Sequence, residues 1–199
     1  MSKPPRRQAL VFSQVYPPDP TSVGQHMHDA AVELARRGLE VTVYAAARGY
    51  EDPSQRYPKH ERRDGVRIRR LPLSSFGKGS ILVRLIGGIS FTLQCLVRGL
   101  LKPSVTHLLV STSPPMCSFA AIFVGAIRRR VRLTYWVMDL NPDQMVALGK
   151  LQESSWMVKS FDWLNRRILK RADAVVALDR FMADRLNRKI EVGDALHVL

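Results

Sequence analysis

Acid is what this chain is short of. Its 199 residues hold 17 Asp and Glu against 31 Lys and Arg, for a formal net charge of +14. So basic a surface favours anionic partners (nucleic acid, acidic lipid or a phosphorylated substrate) without choosing among them. Cysteine is scarcer still, with only Cys95 and Cys117. Two thiols in a chain this long make no disulfide framework and point to a reducing compartment. Both lie in apolar segments, where a thiol reads as a small buried hydrophobe. Long apolar runs are also missing. The uncharged stretch from Leu85 to Val97 has 13 residues, closed by Arg84 and Arg98. A membrane span needs about 20, and runs of about 10–14 are more often core helices or interfacial segments. The segment is therefore expected to pack on the core, with a membrane-facing side as a further option. The start, MSKPPRRQALVF, has basic residues but no long apolar stretch after them, which argues against a secretory signal. No repeat, low-complexity tract, zinc motif or nucleic-acid-binding signature stands out.

What is present is an alternation of short apolar runs and helical periods, with 46% hydrophobic residues, ample for a buried core. The opening stretch, Gln8 to Ala46, organises the rest. Ala9–Phe12 is an apolar run, Tyr16–Val23 a Pro-rich loop, His26–Arg37 a helical period, and Glu40–Ala46 an apolar, β-branched strand. Gly38 stands where a helix stops in the left-handed conformation. This is a βαβ unit, whose strands are parallel. ARGYEDPSQRYPKHERRDG then reads as a surface loop, and GVRIRRLPL as a half-exposed strand whose arginines guard a sheet edge. Helices are expected over Gly79–Lys102 and MCSFAAIFVGAI, and strands over Val105–Val110 and Val131–Val137. Ser154–Arg171 follows as a helix with Ser154 as its cap, then a strand at Ala172–Leu178, a helix capped by Asp179 and a last strand at Leu196–Leu199. The fold class is α/β: a Rossmann-like, doubly wound, mostly parallel sheet with helices on both faces, forming one domain over residues 1–199.

Ligands of such sheets bind beyond the carboxyl ends of the strands. Gly24 falls in the first turn of the first helix. Its missing side chain would let a phosphate approach the free N–H groups there, or would simply make the turn. Asp139 and Asp143 follow the strand ending at Val137. A carboxylate there serves a ligand or caps the next helix. Trp156 and Trp163, among Lys159, Arg166, Arg167, Lys170 and Arg171, suit either an anionic membrane interface or a core face with solvated charges.

Three stretches, YPPDPTSVGQHMHDAAVELARRGLEVTV, YWVMDLNPDQMVALG and ADAVVALDRFMADRL, in this order, resemble the N-terminal domain of glycosyltransferase family 4 enzymes with the GT-B fold. The likeness is greatest to bacterial colanic-acid and exopolysaccharide transferases. Ser22 stands in place of the first of two loop glycines, Leu39 in place of a histidine, and Asp179 in place of a serine. The resemblance implies retaining transfer of a sugar from a nucleotide-sugar donor to a lipid-linked or polysaccharide-precursor acceptor, without metal or cofactor. It implies that Ser22, Gly24, Gln25 and His26 lie beside the donor phosphates. Asp139 would orient or deprotonate the acceptor hydroxyl, with Asp143 as a second candidate. It further implies a nucleotide-binding second domain beyond Leu199, without which residues 1–199 would be inactive. The expected setting is cytoplasmic, with peripheral contact at the inner face of an anionic membrane as an option that Trp156, Trp163 and their basic neighbours offer. Nucleic acid is not an expected partner. Two rivals are a non-catalytic scaffold built on half a GT-B fold, and a basic nucleic-acid-binding α/β domain. A metal site at His26 and His28 is disfavoured because residues two apart on a helix point apart.

Overall fold

A computed structural model describes residues 7–77, 79–140, 142–149 and 151–199. The basic N-terminal segment weighed above as a signal lies mostly outside them. Eight strands form one sheet: β1 (Gln8–Phe12), β2 (Glu40–Ala46), β3 (His60–Arg63), β4 (Val66–Leu71), β5 (Val105–Ser111), β6 (Arg132–Val137), β7 (Ala174–Ala177) and β8 (Leu196–Val198). Their order is β3-β4-β2-β1-β5-β6-β7-β8, parallel throughout except for the β3–β4 hairpin. The strand order reverses between β1 and β5, which makes their carboxyl ends the topological switch point.

Helix α1 (Ser22–Arg36) lies on one face of the sheet. Met27, Ala31 and Val32 pack there on Ala9, Val11, Val41 and Val43. The opposite face carries α2 (Ile81–Leu100), α3 (Cys117–Ile127), α5 (Trp156–Arg171) and α6 (Arg180–Lys189), with the short α4 (Asp143–Ala147) preceding α5. Their inner residues, among them Phe91, Cys95, Ala120, Val124, Ile168 and Leu186, close a second core on Leu10, Phe12, Leu108, Leu133 and Val175. Both cysteines are free and fully buried there, as apolar neighbours dictate. The α/β class and the doubly wound sheet agree with the sequence.

Local departures have physical reasons. Helix α1 starts at Ser22, four residues before the apolar period begins. Thr21 caps it, its hydroxyl accepting from the Gly24 N–H at 3.1 Å. Gly38 ends it at φ +88°, as expected. The cap of α5 is Ser155 rather than Ser154, whereas Asp179 caps α6, its Oδ1 accepting from the Met182 N–H at 2.7 Å. The polar stretch read as loop contains β3. Its hairpin turns on Asp64-Gly65, with φ of +50° and +82°, and pairs Arg63 with Val66. This is the two-residue Asp-Gly connection that twisted antiparallel strands favour.

Helix α2 is long and apolar enough over Leu82–Leu100 to cross a membrane. Its inner face is nonetheless seated in the protein, with Phe91 and Cys95 fully buried. Gly99 lets Val124 approach so closely that a Cβ there would lie 2.8 Å from its Cγ2. Gln94 Nε2 donates to the Pro72 carbonyl at 2.7 Å, and the Arg128 guanidinium closes its end by donating to the carbonyls of Gly99 and Lys102. The helix packs on the sheet, as the charge-bounded run suggests.

Candidate active site at the carboxyl edge of the sheet

The loops after the parallel strands meet at this edge, among them 13–21 after β1, 112–116 after β5, residues 138–140 after β6 and the short link from β7 into α6. The first is the most strongly held. Ser13 N–H donates to the Tyr44 carbonyl at 3.1 Å, and Gln14 accepts from the Ala46 N–H at 2.9 Å. The Gln14 side-chain amide donates to the Ser74 carbonyl at 2.5 Å. The Tyr16 hydroxyl meets His28 Nδ1 at 3.0 Å, and His28 Nε2 lies 3.3 Å from the Asp64 carboxylate. Burial pushes the Tyr16 phenol far above its ordinary range, with Arg70 opposing, so it stays neutral. Asp19 accepts from the Tyr50 N–H at 2.9 Å. Burial pushes its carboxyl up, and that hydrogen bond opposes the shift.

Arg70 lies beneath this loop. One of the arginines taken as a solvated edge guard, it is 2% exposed. Its Nη2 donates to the Pro17 carbonyl at 2.6 Å and to Glu61 Oε1 at 2.8 Å. Nη1 reaches the carbonyls of Tyr16 at 3.3 Å and Ala46 at 3.4 Å. The guanidinium also stacks over Tyr57, 4.6 Å from the ring centroid. The β3 strand thus supplies the carboxylate that neutralises Arg70, and Arg70 fixes the carbonyls of the Pro-rich loop. An arginine on an alternating strand looks the same in sequence whether it points to water or under a loop, so nothing local marks it.

The predicted donor-side residues cluster around the N-terminus of α1. Ser22, Gln25 and His26 are exposed. Gln25 donates to Asp29 at 2.9 Å, and the His26 ring lies 5.9 Å from that of Trp136 on β6. Trp136 Nε1 is buried without a hydrogen-bond partner among the described residues. His28 turns instead toward Tyr16 and Asp64, so the two histidines have separate surroundings. The Ser22 and Val23 N–H groups open the helix, where intrahelical geometry leaves them unpaired.

Of the two readings of Gly24, its packing fits the turn. It is buried, and a Cβ there would lie 2.7 Å from Thr21 Oγ1 and 3.3 Å from Tyr16 N and Cα. The close approach it permits is by the chain's own loop. Gly24→Val is therefore expected to cost about 1–3 kcal/mol of stability through overpacking, measured by chemical denaturation; an unchanged midpoint would mean that the loop can retreat from α1.

Asp139 is half-buried at the end of β6. The Thr112 hydroxyl accepts from the N–H groups of both Met138 and Asp139, at 3.2 and 3.1 Å, tying the β5 and β6 loops together. Helix α4 starts on the Pro142 carbonyl, which accepts from Met145 and Val146 at 2.9 and 3.1 Å. Among the described residues the Asp139 carboxylate caps no helix. It lines a small cavity with Tyr135, Asn165 and Lys189. Burial, with the Asp139 charge adding, drives the Tyr135 phenol far up.

Asp143 is already engaged. Lys189 Nζ donates to it at 2.5 Å and to Asp162 at 2.8 Å, joining α4, α5 and α6. Burial raises the Asp162 carboxyl, but hydrogen bonds from Arg166 and Lys189 outweigh it and hold the group below the usual range. Asp139 and the α1 terminus thus share the carboxyl edge, on opposite faces of the sheet, whereas Asp143 serves as a structural tie.

A cavity of about 520 Å³ is at the other edge, between the end of α1 and the β3–β4 turn. Its walls include Glu40, Arg62, Asp64 and Arg67, with Arg67 paired to Glu40 at 2.7 Å. It faces the amino ends of the parallel strands and the C-terminal, partially negative end of α1, which is unfavourable for a phosphate.

Among solved structures, the chain is similar to sucrose-phosphate synthase from Thermosynechococcus elongatus, with a TM-score of 0.64 and 14% identity over 97% of this chain and 47% of that one. A second structure from the same synthase aligns with a TM-score of 0.58 and 12% identity, over 96% of this chain and 87% of the other. At such identities the likeness concerns the fold. The chain spans about half the length of the first of these, 47%. No curated protein matches significantly. Residues 21–199 match the glycosyl transferase 4-like domain, from the cap of α1 to the last residue, and the chain belongs to that family.

Proposed function

We propose that this domain forms the acceptor-side wall of a retaining glycosyltransferase that moves a sugar from a nucleotide-sugar to a lipid-linked or saccharide acceptor in the cytoplasm. A second, nucleotide-binding domain would face the carboxyl edge and complete the cleft. The observation that carries this reading is the α1 N-terminus. It opens at the carboxyl edge, where helix geometry leaves its first N–H groups without intrahelical acceptors, and Arg70 rigidly supports the loop that leads into it. Unpaired N–H groups and the helix dipole stabilise a departing diphosphate at no reorganisation cost. Asp139, which caps no helix among the described residues, serves as the base or anchor for the acceptor hydroxyl. The chemistry needs no metal or cofactor in this assignment.

A charge placed at the mouth of α1 tests it. A carboxylate in the first turn favours a helix by about 0.3–1 kcal/mol, yet it would repel a diphosphate at the same spot. Ser22→Asp in the full-length protein should therefore melt no earlier than wild type while its donor KM rises at least about tenfold, or 1.4 kcal/mol. An unchanged donor KM would remove the α1 terminus from the phosphate site.

A further inference from the structure

The outer side of the helical layer carries an exposed apolar ridge. Along α2, Leu82, Ile86, Ile89, Leu93, Val97 and Leu101 recur at three- and four-residue steps and are 37–76% exposed. These are the positions opposite Phe91 and Cys95, which seat the helix on the sheet. The neighbouring α3 adds Phe123 and Ile127, 44% and 64% exposed, and α5 adds Trp156 and Trp163, 76% and 54% exposed. All three helices belong to one layer, because their buried residues share one core. Their outward residues therefore face away from the sheet together.

Cations predominate around this ridge, although Glu153 is exposed just before α5. From Gly65 to Met138, a stretch of 74 residues that includes all of α2 and α3, there is no Asp or Glu. Arg84 is exposed on α2, Arg129 and Arg130 follow α3, and Lys159, Arg167 and Lys170 line α5. Arg167 lies over Trp163, 5.1 Å from the ring centroid. Asp162, the acid of α5, is taken up by Arg166 and Lys189.

We propose that this face docks on an anionic lipid bilayer, with the α2 ridge and the α5 tryptophans inserted at the level of the headgroups and the flanking Arg and Lys on lipid phosphates. An apolar strip bordered mainly by cations matches such a surface both in hydrophobicity and in charge. A second copy of the chain fits less well, since two basic rims would be brought together. The helix lies in the interface without crossing, because its inner side is part of the protein core. The proposal is independent of which sugar is transferred, and the lipid test below can fail while the Ser22→Asp test succeeds.

The test is co-sedimentation of the 199-residue chain with vesicles of phosphatidylcholine and phosphatidylglycerol in equal parts, and with vesicles of phosphatidylcholine alone. The chain should partition onto the mixed vesicles, less onto the neutral ones, and lose binding as salt rises. Combined Ile86→Gln, Leu93→Gln and Val97→Gln should lower partition about tenfold or more without lowering the melting temperature, since these side chains contribute little to the core. Arg129→Glu with Arg130→Glu should weaken binding to mixed vesicles only. Failure of the wild-type chain to bind, or equal binding to both lipid mixtures, would overturn the proposal. So would a wild-type dimer in analytical ultracentrifugation that the glutamine variant dissolves and that binds no vesicles.

Discussion

Asp139→Asn should abolish most turnover in the full-length protein while leaving its folding alone. The substitution keeps the shape of the side chain and removes its charge and basicity. Loss of a general base or acceptor anchor typically costs about 100- to 10,000-fold in rate. The backbone at Asp139 is held from Thr112 through N–H groups that asparagine retains, at 3.2 Å for Met138 and 3.1 Å for residue 139. The following helix is started by Pro142 rather than by the carboxylate. The melting temperature should therefore barely move. Steady-state kinetics beside a thermal melt decides the matter: normal turnover with early melting would make the carboxylate a structural group. The paired substitution Asp143→Asn should show the opposite balance, because that carboxylate holds Lys189 rather than a substrate.

The second large effect is expected at Arg70. Arg70→Ala removes a buried cation, and with it the guanidinium donors to Glu61, 18% exposed in its side chain, and to the carbonyls of Pro17 and Ala46, while the Tyr16 carbonyl keeps only the Asp19 N–H, at 3.2 Å. Breaking one side of a buried pair costs about 3–5 kcal/mol. For a domain of this size each kcal/mol shifts the midpoint by about 2–4 °C, so the melt should fall by roughly 6–20 °C. Arg70→Lys should not rescue it, because an ammonium cannot span four acceptors and stack on Tyr57 as the planar fork does. Amide exchange in residues 13–21 should quicken more than in α5 or β7. A melt within a few degrees of wild type, by the same conversion about 1 kcal/mol, would show that the loop holds its shape without Arg70.

How far the sequence carries can be judged from these residues. The βαβ opening, the buried strands and the Asp179 cap are legible because each is written locally, in an apolar period or a capping residue next to it. Strand β3 is not, since all four of its residues, His-Glu-Arg-Arg, are polar and give no alternation. The Asp64-Gly65 pair beside it was the usable signal. Gly24 and Arg70 illustrate a different limit. What a glycine makes room for, and whether an arginine meets water or a carbonyl, depends on a loop folding back from a distant part of the chain. Asp139 and Asp143, four residues apart, looked equivalent; they part only because Lys189, 46 residues beyond Asp143, reaches one of them. The contacts of Trp136 and Thr112 cross the sheet edge, and no local pattern marks them.

The account rests on the α1 N-terminus being where the donor diphosphate sits, and this can be read on the isolated chain. The measurement is an amide-resolved NMR titration of the isotope-labelled 199-residue chain with nucleoside diphosphates and nucleotide-sugars. With one wall of the cleft present, weak binding is expected, on the order of 1 mM, or about −4 kcal/mol. The shifts should centre on the N–H groups of Ser22, Val23 and Gln25 and on the indole N–H of Trp136. Shifts confined to the groove around Arg62 and Arg67 at the opposite edge, or no shift at the α1 terminus at saturating ligand, would contradict the account.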